Sequence, residues 1–210
     1  GDIAFNLYTS FGFPIELITE IAKEKGFSIN YVTYEQLMKK HQEISKAGSE
    51  QKFKGGLAGT GEMETKYHTA THLLLGSLQK VLKTPIVQKG SNITAERLRF
   101  DFNWPEKVSK EKLQEVEDLV NEKIKESLPV EMVELPKAEA QKIATTLAFD
   151  LSTYSDIVTV YKIGVKDEEY FSIEFCGGPH VKNTSELGHF KIVKEEASSA
   201  GVRRIKAILE

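Results

Sequence analysis

The chain has 210 residues, 40% of them hydrophobic, with 28 basic against 31 acidic side chains and a formal net charge of -3. That suffices for one large domain, or one domain plus a smaller piece, and the near-balanced charge leaves any nucleic-acid partner to a local basic patch. No apolar run approaches the roughly 20 residues needed to span a bilayer, and a single cysteine, Cys176, excludes an intrachain disulfide and fits a reducing, cytoplasmic setting.

The chain opens at Gly1 without a Met and without a signal-peptide pattern, which reads as a piece cut from a longer chain or a processed start. Pro14 stands where a helix would begin, and Ile15, Leu17, Ile18 and Ile21 supply an apolar stripe that ends before Gly26. Ser28 to Val32 is strand-like, and Tyr34 to Lys46 reads as a second helix. The glycine-rich run from Phe53 to Gly61 is a connector. It divides the chain into residues 1–54 and 55–210.

The second section starts with a predicted helix from about Thr65 to Leu82, followed by a strand from Ile86 to Ile93. Arg97 to Asn103 alternates, with Leu98, Phe100 and Phe102 on one face and Arg97, Arg99 and Asp101 on the other. Ser109 caps an amphipathic helix whose stripe is Leu113, Val116, Leu119, Val120 and Ile124. Val130 to Leu135 is a strand, and Pro136 begins another helix. Ile157 to Ile163, Tyr170 to Cys176, His189 to Lys194 and Val202 to Leu209 complete the strands. Helices and strands mix without strict βαβ alternation. The expected class is α+β, a mixed, largely antiparallel sheet packed against helices, preceded by a short helical segment.

Five histidines occur: His41, His68, His72, His180 and His189. His68 and His72 stand four apart on a predicted helix, so both imidazoles share one face. Cys176 and His180 repeat the spacing across two glycines at the end of a strand. Either pair alone has a plain structural reading, as buried thiol or solvated imidazole. Together they form three nitrogen donors and a thiolate, a set that suits Zn²⁺. The glutamate base of an HExxH protease motif is missing. His41, on a charged helix face, and His189, in a strand, read as structural or solvated.

The run Lys66-Tyr-His-Thr-Ala-Thr-His-Leu-Leu-Leu75 resembles the first zinc motif of the alanyl-tRNA synthetase editing domain. Val87 to Ile93 with Arg97 to Phe102, Cys176 to Gly188, and Ser199 to Ile205 are similar to its later signatures, in the same order over residues 55–210. Ala4 to Pro14 resembles the end of the tRNA-recognition helical region that precedes editing, a segment that free-standing editing proteins lack. The resemblance therefore implies the C-terminal part of such a synthetase, without its aminoacylation core and ATP site. It also implies absence of the usual C-terminal extension, and hence a monomer.

Three positions depart from the family pattern. Thr9 replaces an acidic residue expected to contact the acceptor stem. Pro179 stands where many members have Thr, a form shared with threonyl-type editing domains. Tyr154-Ser155-Asp156 replaces a common Tyr-Gly-Asp turn.

The resemblance implies hydrolysis of Ser-tRNA(Ala) and Gly-tRNA(Ala) at a zinc site of His68, His72, Cys176 and His180. A pocket for alanine discriminates against one methylene by only about 10–200-fold, so a second hydrolytic site is the chemical remedy. Zinc either activates water or grips the substrate amine or hydroxyl. The resemblance places Gln88 in the pocket, against a plain reading as a solvent-facing strand residue. Thr69 and Thr71 flank the histidines; each either bonds substrate or bonds back to its own helix. Arg97, Arg99, Lys191, Arg203 and Arg204 are the candidate tRNA contacts, with a solvated strand face as the alternative for each. Two other functions remain open: a non-catalytic zinc module that docks tRNA, and threonyl-type editing of Ser-tRNA(Thr).

Overall fold

The computed structural model describes residues 1–11, 13–40, 57–59, 61–144, 156–165 and 170–210. The chain forms two compact units, Gly1–Phe53 and Lys54–Glu210.

In the first unit, helices α1 (Asp2–Phe11), α2 (Ile15–Glu24) and α3 (residues 31–40) surround a small core of Ala4, Ile18 and Tyr34. Pro14 precedes α2 in extended geometry, and Gly26 takes a left-handed φ of 73° just past its end. Helix α1 agrees with the helical region that the resemblance implied for Ala4 to Pro14, although no residue pattern marked its bounds. Ser28 to Val32 is not a strand: Asn30 accepts the Thr33 N–H at 3.1 Å and starts α3 at residue 31. That local cap outweighs the β-preference of Ile29, Tyr31 and Val32. His41, the rest of the predicted second helix, and most of the glycine-rich connector lie outside the described residues. So do Tyr154 and Ser155.

The second unit is α+β, built on two antiparallel sheets. One has four strands in the order β1-β2-β7-β6: β1 (Gln88–Ile93), β2 (Leu98–Asn103), β7 (Val202–Leu209) and β6 (Phe190–Ser199). The other has three, in the order β3-β4-β5: β3 (Val130–Pro136), β4 (Ile157–Ile163) and β5 (Ser172–Phe175). The long helices are α4 (Glu62–Leu82) and α5 (Lys110–Lys125), the latter capped by Ser109 accepting from the Lys112 N–H at 3.2 Å.

The alternation of β2 works as expected. Leu98, Phe100 and Phe102 enter the main core with Leu73, Leu74 and Leu78 of α4 and Val116 and Val120 of α5. Helix α4 is buried along nearly its whole middle, from Tyr67 to Leu78. Gly76 lets it approach Phe171: a Cβ there would lie 2.9 Å from the Phe171 ring.

The three-stranded sheet has its own core. Val158, Val160, Ile173 and Phe175 pack with Ala140 of the short helix α6 (Lys137–Ile143). Alternation puts Ser172 and Glu174 on the other face of β5, yet every residue of β5 is buried. That double burial places polar side chains in the interior beside α4.

Candidate metal centre

His68 and His72 lie one turn apart on α4, 2% and 5% exposed. Cys176 follows β5 and is also buried. Its backbone N–H donates to the Thr159 carbonyl at 3.2 Å, so β4 holds the chain one residue past the strand. The loop then turns over Gly177, Gly178 and Pro179 to deliver His180. The sequence suggested that these glycines supply a sharp turn, but neither has a positive φ. Gly178 supplies space: a Cβ there would sit 2.3 Å from Cε1 of His68, whereas one on Gly177 would meet nothing within 4 Å.

The four donor atoms lie within 4.8 Å of one another. Cys176 Sγ is 3.3 Å from Nε2 of His68 and 3.3 Å from Nε2 of His180. Zinc bonds of about 2.3 Å to sulfur and about 2.0–2.1 Å to nitrogen, at a tetrahedral angle, separate the two donors by about 3.6 Å. The donor set and its spacing therefore fit a tetrahedral ion such as zinc.

The outer nitrogens reinforce that fit. His68 Nδ1 lies 3.0 Å from the Pro179 carbonyl. A carbonyl only accepts, so the proton sits on Nδ1 and the Nε2 lone pair faces Cys176. Thr69 Oγ1 donates to the Thr65 carbonyl at 3.3 Å and accepts the Val181 N–H at 3.2 Å. Its remaining lone pair accepts from His180 Nδ1 at 3.0 Å, which again frees Nε2. His72 Nδ1 lies 3.4 Å from Glu174 Oε2. Metal-bound histidines commonly give their outer N–H to an oxygen in this manner, which fixes tautomer and ring orientation.

Burial sets the protonation states. It pushes His68 down to about 3, helped by neighbouring His72, and His72 down to about 4. His180 falls well below its usual value for the same reason, with His72 and His68 adding to it. All three are therefore neutral donors near pH 7, as ligation requires. Burial also pushes the Cys176 thiol up to about 12 and Glu174 up to about 8. A dication between the donors reverses the cost of the thiolate.

The other candidates separate. Thr71 donates back to the Tyr67 carbonyl at 2.8 Å, the helix-bonded alternative. Thr69 is fully buried and occupied in holding His180. Gln88, on β1, donates to Ser91 at 3.1 Å. Thr9 bonds back to Phe5 within α1, and His189 is exposed beside β6.

Arg97, Arg99, Lys191 and Arg204 share the outer face of the four-stranded sheet, together with Lys194 and Lys206. Arg203 does not, because adjacent strand residues point to opposite sides. Arg203 pairs with buried Glu195 on the core side. On the outer face Asp101 accepts two bonds from Arg204, at 2.7 and 2.8 Å, and lies 3.8 Å from Arg99. Glu196 pairs with both Lys194 and Lys206. Lys191 pairs with Glu210 at 3.1 Å, and with Asp101 and Glu196 each shared by two cations the named cations of this face still outnumber their acidic partners.

Sequence reasoning missed two residues at the centre. The Tyr161 ring on β4 lies 4.1 Å from that of His180. Glu174 lies opposite Tyr161 in the ladder. Ser172, Glu174 and Cys176 form an i, i+2, i+4 series that a strand places on one face, and this was the signal that could have found Glu174.

Two family models match. "Threonyl and Alanyl tRNA synthetase second additional domain" covers residues 158–206, and "tRNA synthetases class II (A)" covers residues 1–99. The alanine–tRNA ligase of Treponema denticola is 55% identical over 210 residues, all of this chain and 34% of that protein. Those of Borrelia hermsii and Bacillus subtilis are 54% identical over 209 residues and 44% over 175, covering 100% and 80% of the chain and 34% and 19% of the relatives. The chain thus spans about a third of the length of the spirochaete relatives and less of the Bacillus protein.

Proposed function

The chain belongs to the alanyl-tRNA synthetase family, and from that premise we propose that its second unit is the editing hydrolase, which cleaves the ester joining serine or glycine to tRNA(Ala). The observation that carries this reading is the convergence of His68, His72, Cys176 and His180 within 4.8 Å, from segments about a hundred residues apart.

The four side chains hold zinc, which when bound supplies Lewis-acid chemistry or a grip on the substrate amine or hydroxyl. The protein's own part is positioning. Thr69 and the Pro179 carbonyl fix two ligand rings. Gly177 is exposed, and Pro179, His180 and Tyr161 are half-buried, so the aminoacyl end approaches from this side. Gln88 is a polar pocket contact in this reading, and Thr69 and Thr71 shape the wall beside the ligands.

The outer basic face supports docking of the tRNA backbone, through Arg97, Arg99, Lys191 and Arg204, because phosphate affinity comes from clustered cations. Arg203 serves by keeping β6 and β7 together through Glu195. The helical unit, Gly1–Phe53, belongs to the tRNA-recognition region of the synthetase. Among the described residues no helix is long and apolar enough to cross a membrane, and we place the activity in the cytoplasm.

A second reading has one observation in its favour. Four protein donors can fill a tetrahedral ion, as in structural sites, so zinc here would only shape a tRNA-docking module. The discriminating experiment is deacylation of Ser-tRNA(Ala) against Ala-tRNA(Ala) by the zinc-loaded chain. Selective release of serine is expected; a folded, zinc-loaded sample that leaves Ser-tRNA(Ala) intact overturns the hydrolase reading. Preferential hydrolysis of Ser-tRNA(Thr) would instead assign threonyl-type editing. Cys176→Ala should lose metal and activity together.

A further inference from the structure

His68 and His180 turn Nε2 toward Cys176 and Nδ1 outward, and the oxygen beside Nδ1 of His72 is of another kind than theirs. His68 meets a carbonyl and His180 a hydroxyl, both neutral oxygens. His72 Nδ1 is buried with no hydrogen-bond partner, and Glu174 Oε2 lies 3.4 Å from it. Glu174 is 6% exposed, on the face of β5 opposite the one that packs with α6.

The carboxylate is itself held. Ser172 Oγ, 1% exposed, donates to Glu174 Oε1 at 2.7 Å. Ser172, Glu174 and Cys176 project from the same side of one strand, so the backbone that delivers the thiolate also fixes the carboxylate. Bonding Oε1 to Ser172 leaves Oε2 aimed at His72.

We propose that Glu174 is the positioning residue of the metal centre: it takes the His72 Nδ1–H and thereby fixes the tautomer and ring angle that present His72 Nε2 to zinc. This rests on the zinc reading of the site. The arrangement forms a carboxylate–histidine–metal series, with Ser172 as the outermost member. It also meets a charge requirement. A dication with one thiolate and three neutral imidazoles leaves one net positive charge in a buried site, and an uncompensated buried charge is costly. Glu174 is the carboxylate at this cluster among the described residues. Its Oε2 lies 3.4 Å from His72 Nδ1 and Glu174 is not one of the four clustered donors, so in this proposal it acts through His72 and is not a fifth ligand.

The test is zinc affinity by chelator competition on the whole 210-residue chain, with long-range ¹H–¹⁵N spectra of the histidine rings. Wild type should bind one zinc, with His72 protonated at Nδ1 and metal-bound at Nε2. Glu174→Leu should bind zinc about 10–100-fold more weakly, the range typical of lost outer partners. Glu174→Gln keeps an accepting oxygen and should fall between the two with the tautomer preserved. It also decides the matter if the leucine variant fails to fold.

Wild-type zinc affinity in both variants, or in Glu174→Gln alone when Glu174→Leu does not fold, overturns the proposal. A wild-type His72 bound through Nδ1 does so too. A wild-type chain that binds no zinc overturns the zinc reading itself, and with it this inference. A loss of turnover without loss of zinc affinity also refutes it, by assigning Glu174 to the chemical step.

Discussion

The two adjacent glycines of the ligand loop allow a sharp test, because the structure gives them opposite surroundings. A Cβ added at Gly178 would lie 2.3 Å from His68 Cε1, 2.8 Å from its Nδ1 and 3.3 Å from Leu57. Carbon atoms in ordinary contact are about 3.5 Å apart, so either the ring or the loop must move by about 1.2 Å. Metal–ligand distances tolerate about 0.2 Å. The displacement is roughly six times that tolerance, and it also strains the His68 bond to Pro179, the next residue along. Gly178→Ala should therefore weaken zinc binding by at least ~100-fold, or about 2.7 kcal/mol. Overpacking should lower metal-free stability by a further ~1–3 kcal/mol.

Gly177→Ala is the paired control. Its Cβ meets nothing within 4 Å and its φ is not left-handed, so zinc affinity should stay within about twofold, with stability unchanged or raised by a few tenths of a kcal/mol to ~1 kcal/mol. Chelator competition and thermal melts on both variants make the comparison. Equal zinc loss in both, or unimpaired binding in Gly178→Ala, would refute the geometric argument.

Three further outcomes are expected. In chelator the metal-free chain should be most stable near pH 6.5: as pH falls toward 4, the unfolded chain takes up protons at three histidines that the native state keeps neutral, while native Glu174 already holds one, a net of about two protons or ~2.7 kcal/mol per pH unit. Above that maximum native Glu174 keeps a proton that the unfolded chain has already lost, so stability declines by up to ~1.4 kcal/mol per pH unit until Glu174 ionises at about 8, where its contribution is spent; urea titrations from pH 5 to 8 that rise steadily in either direction would contradict this. Thr69→Val should cost ~1–3 kcal/mol, because the His180 Nδ1–H and the Val181 N–H both lose their acceptor, and a melting temperature equal to wild type would count against it. Arg99→Gln should leave zinc affinity unchanged and reduce the slope of log affinity for tRNA against log salt by about 1, an outcome checked by filter binding at several salt concentrations.

The convergence of His68, His72, Cys176 and His180 was legible in the sequence because i, i+4 spacing has a direct spatial meaning on a helix, and because the chain's one cysteine stood four residues from a histidine; that they bind an ion is the proposal. The inward and outward faces of β2 were legible for a similar reason, since one face is apolar and the other charged. The split into two sheets was not. Strand patterns report which face is buried but not which strand pairs with which. Ser28 to Val32 misled because β-branched and aromatic residues dominate its composition, while one asparagine cap decides its structure. Arg203 and Arg204 looked equivalent as a basic pair, yet the pleat sends one to Glu195 and the other to Asp101. Glu174 was hidden because a glutamate in an alternating strand ordinarily reads as solvent-facing, and β5 is covered on both sides.

The ligand atoms of His68 and Cys176 belong to residues 108 positions apart in the chain. An ion held between them closes a very long loop, and the entropy of such closure grows only slowly with length. The consequence is one of timing. When the chain is made from its N-terminus, α4 emerges with a histidine pair that must wait for β5 before the thiolate arrives. If the cluster holds zinc as proposed, tight binding reports that α4 has met the loop after β5, while β6 and β7 still lie ahead in the chain, so zinc uptake during refolding can serve as a clock for that one long-range contact.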